Sequence, residues 1–378
     1  MFDFDHLPDR SNTGSLKWDR YREHDVLPMW VADMDFVSAP EIVAALRARA
    51  EHGVFGYTIP YEDAVRETLR YLERRHGVAA QADWLVWMPG LVPALNLICR
   101  AFGESGDAVM TCTPVYPPFL SAPIFQDRKR IAVPLRLDGA RWSFDWDAME
   151  SAVTETTRLF ILCHPHNPVG RVWRREELER LLEFCERRQL ILVSDEIHCD
   201  LILDDVPWTA TLALGERAAQ RVITLHAPSK TYNLPGLACA YAVIPDAGLR
   251  TTFRRAARGI ITEINAFGYT GCAAAYRHGE PWRQAVLAYL RENRDFLYSF
   301  VKERMPAIRM QPMEATYLAW LDVRALNLEH PHRFFEEAGV GLSSGVDFGA
   351  PGFLRLNFGC PRARLLTALE RMARALDS

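Results

Sequence analysis

Short apolar segments alternate with helix-like segments between about residues 84 and 245, and this pattern restricts the fold most strongly. The apolar segments, such as RLFILC (158–163), lack regular polar alternation, which indicates strands buried on both faces. One intervening segment, residues 175–189, has the spacing of an amphipathic helix. Its apolar positions are Leu178, Leu181, Leu182 and Cys185. We therefore predict an α/β fold whose large domain is built on a mostly parallel sheet.

The C-terminal third has a different pattern from the alternating region. Residues 281–305 predict one long helix, which is followed by two strand-like segments and a final helix from about residue 361. This order is typical of a small α+β domain. We predict a large domain over residues 48–280 and a small domain formed by residues 1–47 and 281–378.

Composition argues against several classes of protein. The formal net charge of −4 provides no strong field for nucleic acid or an anionic membrane, and no apolar run reaches the roughly 18 residues of a membrane helix. The first residues are charged from Asp3 onward, unlike a secretory signal. None of the eight cysteines forms a CxxC pair, so we expect reduced thiols in a cytoplasmic protein and no metal site.

Four polar motifs follow predicted strands within the alternating region. They are TPVYPP (113–118), CHPHNPVGR (163–171), SDEIHCD (194–200) and HAPSK (226–230). In open α/β sheets, ligands bind at the carboxyl ends of the strands. The clustering of these motifs at one predicted edge therefore indicates a site there, more strongly than any one motif does.

Lys230, in the last of these motifs, is one of only four lysines among 44 basic residues. Arginine cannot lose its proton in a protein, whereas a lysine amine can do so and form a Schiff base. A lysine retained in such an arginine-rich chain is consistent with this chemistry. The alternative is an ordinary surface lysine after a strand, because Lys17, Lys129 and Lys302 are retained as well.

Two further residues at the strand ends have both a functional and a structural interpretation. Asp195 ends a predicted buried strand, where a carboxylate requires a partner such as a protonated pyridine nitrogen. Its alternative role is to cap the next helix. Asn167 precedes a proline, which restricts it to an extended or turn conformation, and it could equally belong to an ordinary Asn-Pro turn.

Two loops contain residues suited to a planar, anionic ligand. Gly90 precedes a predicted helix whose first amides, at Leu91 and Val92, could bind an anion, although a single glycine turn is weak evidence. Tyr116 lies in a proline-stiffened loop, where it could stack on a flat ring or simply pack within the loop. Both interpretations stay open when these residues are considered one at a time.

Taken together, the motifs resemble those of the fold type I enzymes that depend on pyridoxal 5′-phosphate (PLP). More narrowly, the chain resembles the cystathionine β-lyase or C–S lyase group called the MalY/PatB family, within the aminotransferase class I/II superfamily. The segments that carry the resemblance are FDFDHLPDRSNTGSLKWD, LPMWVADMDFVSAPEI, GVFGYT, HNPVGRVW, SDEIHCDLI, SKTYNLPGL, EATYLAWLDVRAL and GFLRLNFGCPR. They cover essentially the whole chain, so the joint pattern is far more specific than any one motif.

The resemblance implies PLP as the cofactor and a role for each residue at the strand ends. Lys230 would form the Schiff base and then act as general acid and base at Cα. Asp195 would pair with the pyridine nitrogen, Asn167 and His198 would bind the phenolic oxygen, and Tyr116 would stack on the ring. The phosphate group would be held by Gly90, Leu91, Val92 and Ser229.

The resemblance also implies a substrate site and a partner. Arg355 would bind the α-carboxylate of an amino-acid substrate by a bidentate pair, with Asn167, Ala32 and Asp33 beside it. Tyr57 would reach the cofactor of a neighbouring subunit, so the active unit would be a homodimer with sites at its interface. The choice of substrate would depend on Trp30, Asp33, Tyr317 and residues 343–350.

Two positions resemble the lyases more than the aminotransferases of this fold. His198 occupies a position where aminotransferases usually have tyrosine, and Ala238 occupies one where they usually have a phosphate-binding arginine. His164 departs from the pattern, since relatives often have a smaller polar residue there, and we expect a neutral, packed histidine.

The resemblance therefore implies α,β-elimination from L-cystathionine or a related L-cysteine S-conjugate, with a thiol, pyruvate and ammonia as products. The alternatives are a PLP-dependent aminotransferase and a C–S lyase for the S-conjugate of a specialised metabolite. Some members of the lyase group also bind a transcription factor, but no surface for such a regulatory partner can be identified from the sequence.

Overall fold

The computed structural model describes residues 2–377. The α-helices of this part of the chain are α1 (Pro40–Glu51), α2 (Glu62–His76), α3 (Leu91–Ala101), α4 (Pro117–Phe125), α5 (Trp146–Ala152), α6 (Arg175–Arg187), α7 (Glu216–Ala219), α8 (Ala247–Ala257), α9 (Ala266–His278), α10 (Glu280–Arg304), α11 (Pro331–Glu337) and α12 (Arg362–Asp377). The strands are β1 (Leu27–Pro28), β2 (Leu85–Met88), β3 (Ala108–Thr113), β4 (Lys129–Pro134), β5 (Arg136–Asp138), β6 (Arg141–Ser143), β7 (Thr157–Cys163), β8 (Ile191–Asp195), β9 (Val222–His226), β10 (Ala240–Val243), β11 (Arg309–Met310), β12 (Leu318–Asp322), β13 (Val340–Gly341), β14 (Ser343–Ser344) and β15 (Phe353–Asn357).

A seven-stranded sheet in the order β2-β10-β9-β8-β7-β3-β4 organises the larger part of the fold. Neighbouring strands from β9 to β4 are parallel, whereas β10 is antiparallel to both β9 and β2. The predicted mostly parallel sheet is therefore confirmed. The connection from β9 to β10 contains no α-helix, so the chain returns in the opposite direction, as short connections do.

Burial explains why the strands of this sheet have apolar sequences without alternation. Every residue of β3 and every residue of β9 is buried, because helices cover both faces of the sheet. The predicted apolar face of α6 is also confirmed. Its residues Leu178, Leu181, Leu182 and Cys185 are all buried.

The C-terminal third forms a second, antiparallel sheet in the order β11-β12-β15-β14. Helix α10 is 25 residues long and packs against α12. Strand β1 pairs in parallel with β13, which joins the N-terminal segment to this part of the chain. The α+β composition predicted for this region is confirmed.

The limits of the two predicted domains stay a prediction. The limit between residues 47 and 48 lies within α1, and the limit between residues 280 and 281 lies in the first turn of α10. The outer ends of the predicted small domain, Met1 and Ser378, lie outside the described residues.

All eight cysteines are buried and none is in a disulfide, as their positions in apolar segments indicated. Over residues 2–377, no helix is both long enough and apolar enough to span a membrane.

Candidate active site

A cavity of about 170 Å³ lies at the carboxyl edge of the seven-stranded sheet. It is formed mainly by the loops that follow β2, β3, β7, β8 and β9, together with the start of β10. The predicted site residues that line it are Ala32, Gly90, Leu91, Val92, Tyr116, Asn167, Asp195, His198, Ser229 and Lys230. Residues from five loops are thus brought together because parallel strands end at one edge of the sheet.

Lys230 is partly buried in the loop after β9. Its Nζ donates a hydrogen bond to the backbone carbonyl of Ala32 at 2.6 Å. Burial, and then the positive charge of Arg355, lower the pKa of Lys230 to about 8, although the carboxylates of Asp33 and Asp195 act in the opposite direction. A substantial fraction of this amine is therefore neutral near physiological pH, as a Schiff-base lysine requires.

Asp195 is the last residue of β8 and His198 lies in the turn that follows, and both are buried. Asp195 Oδ1 accepts a hydrogen bond from the amide of Ile197, and no Lys or Arg nitrogen of residues 2–377 lies within 4.0 Å of its carboxylate. Burial therefore raises the pKa of Asp195 to about 7. Burial, with the charges of Lys230 and Arg355, lowers the pKa of His198 to about 3, so this imidazole is neutral, and its Nδ1 has no hydrogen-bond partner among the described residues.

The N-terminus of α3 provides the anion-binding end of the cavity. The amides of Leu91 and Val92 belong to the first turn, where a helix offers N–H groups without intrahelical acceptors. The backbone of Gly90 is extended, and a Cβ atom there would meet only Pro93 at an ordinary distance of 3.7 Å. The glycine is therefore required neither by the turn nor by a close contact. Ser229 faces the same cavity.

Arg355 lies on β15 and is buried beside the cavity. Its Nη1 donates to Asn167 Oδ1 at 3.2 Å, and its Nη2 donates to the carbonyl of Trp30 at 2.8 Å. Its Nε has no partner, and no carboxylate of residues 2–377 forms an ion pair with it. Burial lowers the pKa of Arg355 to about 10, so the group stays charged near neutral pH. A buried guanidinium without a counter-ion is suited to bind an anionic ligand.

Of the remaining predicted residues, Tyr116 lines the cavity, whereas Asp33 and Tyr57 do not. Tyr116 lines it and donates its backbone amide to the carbonyl of Asn167 at 3.1 Å. Asp33 does not line it, because its carboxylate is directed to Arg10 at 2.7 Å. Tyr57 is fully exposed in the loop between α1 and α2, away from the cavity of its own chain.

Two of the residues predicted to affect substrate choice contact the segment that precedes α1. Tyr317 is buried and donates its hydroxyl to the carbonyl of Ala32, while Ser343 donates to the carbonyl of Trp30. His164 is packed, as predicted. It stacks on Trp208 with ring centres 4.2 Å apart, and burial lowers its pKa to about 3.

These groups fit PLP on the evidence of their own chemistry. The buried carboxylate of Asp195 lacks a cationic partner, which a protonated pyridine nitrogen would provide. The free amides of α3 suit a phosphate group, and Lys230 has the lowered pKa of a Schiff-base amine. The site therefore combines a lysine, a carboxylate and an anion-binding helix N-terminus in one cavity.

The sequence reasoning missed two asparagines that support the site. Asn357 donates to the carbonyls of Val31 and Asp33, and Asn233 donates to the carbonyls of Met34 and Phe36. Asn357 is two residues from Arg355 on a strand, so the two side chains share a face, and this spacing could have identified it.

The fold and the site define an α/β enzyme of the fold type I PLP-dependent class. A family model described as aminotransferase class I and II matches residues 25–372. The chain belongs to this family. The cystathionine β-lyase PatB of Bacillus subtilis is 37% identical over 99% of this chain and 100% of its own length.

Solved structures agree closely with this fold. A crystal structure of OvoB is 44% identical with a TM-score of 0.97, and covers 100% of both chains. Cystalysin from Treponema denticola, whose structure contains PLP, is 32% identical with a TM-score of 0.96, over 100% of this chain and 99% of its own. The predicted resemblance to the MalY/PatB group is therefore confirmed.

Proposed function

We propose that this chain is a PLP-dependent C–S β-lyase that cleaves L-cystathionine or a related L-cysteine S-conjugate to a thiol, pyruvate and ammonia. The observation that carries the proposal is the juxtaposition of Lys230, Asp195 and the unpaired Arg355 around one cavity. The names of relatives such as PatB support the same reaction. The arrangement provides one group for each task that the reaction requires.

Each end of the cavity has a distinct binding role. The amides of Leu91 and Val92, with Ser229, would hold the phosphate group of PLP. Asp195 would accept a hydrogen bond from the protonated ring nitrogen, Tyr116 would stack on the ring, and Asn167 and His198 would bind the phenolic oxygen. At the opposite side Arg355, with Asn167 beside it, binds the substrate α-carboxylate, whose charge compensates the buried guanidinium. Ala32 borders the same substrate, whereas the carboxylate of Asp33 is directed to Arg10 and acts on the site through its charge.

Lys230 is the residue that would move the proton at the Cα atom of the substrate. When bound, PLP supplies an electron-withdrawing ring that stabilises negative charge at Cα. Lys230, whose pKa is about 8, takes the Cα proton, and the electron pair left behind forms a Cα–Cβ double bond as the C–S bond breaks. The sulfur leaves with both bonding electrons and is protonated to the thiol. Water then hydrolyses the released enamine to pyruvate and ammonia.

A lyase is favoured over an aminotransferase by the lining of the cavity. Ala238 lines it at the position where aminotransferases usually have a phosphate-binding arginine, and none of its described lining residues is arginine. A lyase for the S-conjugate of a specialised metabolite would use the same groups, and the identity of the natural conjugate depends on residues around Trp30, Tyr317 and 343–350.

A homodimer is part of the proposal. The loop that contains Tyr57 exposes Val54, Phe55 and Ile59, and apolar side chains clustered in one exposed loop are suited to an interface. Tyr57 would contact the cofactor bound by the partner subunit. We place the enzyme in the cytoplasm, which its eight free, buried thiols support.

The proposal is tested by incubating the purified, PLP-loaded protein with L-cystathionine and no keto acid. Equal amounts of pyruvate and thiol are expected. Product formation only after a keto acid is added would instead identify an aminotransferase. The absence of pyruvate with all of a panel of L-cysteine S-conjugates would refute the lyase activity.

A further inference from the structure

We call the segment from Trp30 to Phe36 the wall; it lines the cavity through Ala32 and belongs to no helix or strand. Its carbonyl groups therefore lack the regular pairing of a helix or strand, and of these only that of Val31 accepts from a backbone amide among the described residues, that of Asp33. Side chains provide the donors instead. They are Arg355 and Ser343 for Trp30, Asn357 for Val31, Lys230 and Tyr317 for Ala32, Lys17 and Asn357 for Asp33, Asn233 and Arg10 for Met34, and Asn233 for Phe36.

The carbonyl of Ala32 is the point at which this wall meets Lys230. It accepts from Lys230 Nζ at 2.6 Å and from the hydroxyl of Tyr317 at 3.0 Å. A carbonyl oxygen at this distance stabilises the charged form of an amine. The orientation of this carbonyl therefore affects the pKa of the Lys230 amine.

Asn357 is placed to fix that direction. Its Nδ2 donates to the carbonyl of Val31 at 2.6 Å and to that of Asp33 at 2.7 Å, on either side of Ala32 in the chain. Its Oδ1 accepts from the amide of Gly359 at 2.8 Å, which determines the orientation of the side-chain amide. Asn357 is only 1% exposed, so water does not replace these bonds.

The same wall holds the second cation of the site. Arg355 donates to the carbonyl of Trp30, two residues before Ala32, and Asn357 follows Arg355 by two residues on β15. The backbone amide of Asn357 also donates to the carbonyl of Met29 at 2.8 Å. Strand β15 is thus hydrogen-bonded to the wall and to the residue before it through Arg355 and Asn357, and Asn357 makes most of these bonds.

We propose that Asn357 is a positioning residue, which holds the carbonyl of Ala32 as the acceptor for the Lys230 amine whenever that amine is not bonded to cofactor. This inference rests on the proposed function, because it takes Lys230 to be the cofactor-binding lysine. During turnover the amine is released and gains the Cα proton. The carbonyl of Ala32 then holds the resulting ammonium group within the site.

The test measures the protonation of Lys230 directly in the cofactor-free, full-length chain. Lysine labelled with ¹³C at Cε gives at most four side-chain signals, because the chain has four lysines. The signal of Lys230 is the one lost in Lys230→Ala. We expect its titration midpoint near pH 8 in the wild type. In Asn357→Leu the midpoint is expected to fall by about one pH unit, since the ammonium loses a fixed acceptor.

Asn293 provides a matched control. It is also buried, and its Nδ2 also donates to two backbone carbonyls, those of Phe358 and Cys360, but it does not contact the wall. Asn293→Leu is therefore expected to lower thermal stability while the Lys230 midpoint stays at its wild-type value. Asn357→Ser, which keeps a small polar side chain, is measured as well and should give a smaller shift in the same direction.

The outcomes separate this inference from the proposed function. An unchanged midpoint in Asn357→Leu, or an equal shift in Asn293→Leu, would overturn the positioning role. If Asn357→Leu does not fold, an unchanged midpoint in Asn357→Ser overturns it too. In parallel, wild-type protein is incubated with PLP, reduced with borohydride and mapped by mass spectrometry. Modification of a lysine other than Lys230 would overturn both proposals, whereas modification of Lys230 with unshifted midpoints overturns only this one.

Discussion

Arg355 Nη1 donates a hydrogen bond to Asn167 Oδ1 at 3.2 Å and so joins two residues that are 188 positions apart in the chain. Arg355 lies on β15 of the four-stranded sheet, and Asn167 lies in the loop after β7 of the seven-stranded sheet. The proposed carboxylate-binding group and a proposed cofactor-binding group are therefore held together by their own side chains. A substrate bound by Arg355 is thereby placed beside the cofactor.

Replacement of Arg355 by lysine tests the carboxylate site. Lysine keeps the charge but cannot form the bidentate pair, so KM for L-cystathionine should rise by about tenfold or more. Steady-state kinetics measure this, and PLP binding should be retained. Arg283→Lys is the control, because Arg283 is buried but pairs with Glu280 away from the cavity. A KM unchanged in Arg355→Lys would contradict the assignment.

Asp195→Asn tests the partner of the pyridine nitrogen. Asparagine has nearly the same shape but no charge to keep the ring nitrogen protonated, so turnover should fall by about a hundredfold. The neighbouring Glu196 is also buried, with a pKa of about 7, but it does not line the cavity. Its carboxylate accepts hydrogen bonds from the hydroxyl of Ser194 and the backbone amide of Thr211. Glu196→Gln should keep turnover near the wild-type value. Equal losses in the two variants would show a general effect of removing a buried carboxyl group.

The pH dependence of cofactor binding follows from the pKa of Lys230. Schiff-base formation requires the neutral amine, and the pKa of about 8 means that its neutral fraction falls on acidification. The rate of PLP binding should therefore rise about tenfold per pH unit below pH 8 and level off above it. Stopped-flow absorbance of the cofactor-free protein measures this rate. Because the charge of Asp33 raises the pKa of Lys230, Asp33→Asn should move the plateau to lower pH, and a rate still rising at pH 10 would be inconsistent with this account.

A mixing experiment tests whether Tyr57 acts across a dimer interface. Tyr57→Ala and Lys230→Ala should each be nearly inactive alone. In a mixed dimer, one site would combine Lys230 from the Tyr57→Ala chain with Tyr57 from the Lys230→Ala chain. Mixing should therefore restore part of the activity. Mixing Lys230→Ala with Asp195→Asn is the control. Both residues would come from the chain that binds the cofactor, so every site in the mixed dimer would still lack one of them. No recovery in the Tyr57 mixture, despite demonstrated subunit exchange, would argue against the shared site.

The sheet and the strand-end residues could be predicted because both follow from local sequence. Buried parallel strands have continuous apolar sequences, and their carboxyl ends meet at one edge, which brings Asn167, Asp195 and Lys230 together. The roles of individual residues were less certain from local sequence alone, since Asp195 could equally have capped a helix. The joint pattern of motifs made the functional interpretation more specific.

The wall formed by Trp30 to Phe36 could not be predicted in this way. Asn357 and Asp33 are 324 positions apart, and Asn233 and Met34 are 199 positions apart. No local periodicity encodes hydrogen bonds over such separations, because they depend on how β15 and the loop after β9 pack against the N-terminal segment. The fully exposed Tyr57 is a related case, since its proposed role depends on a second chain.

The most direct test of the account compares wild type and Lys230→Ala in the release of pyruvate and thiol from L-cystathionine. Circular dichroism first establishes that both proteins are folded to the same extent. We expect equal amounts of pyruvate and thiol from the wild type, and a rate at least about a thousandfold lower from the variant, because the amine that moves the Cα proton is gone. Pyruvate release by Lys230→Ala at a rate near that of the wild type would contradict it.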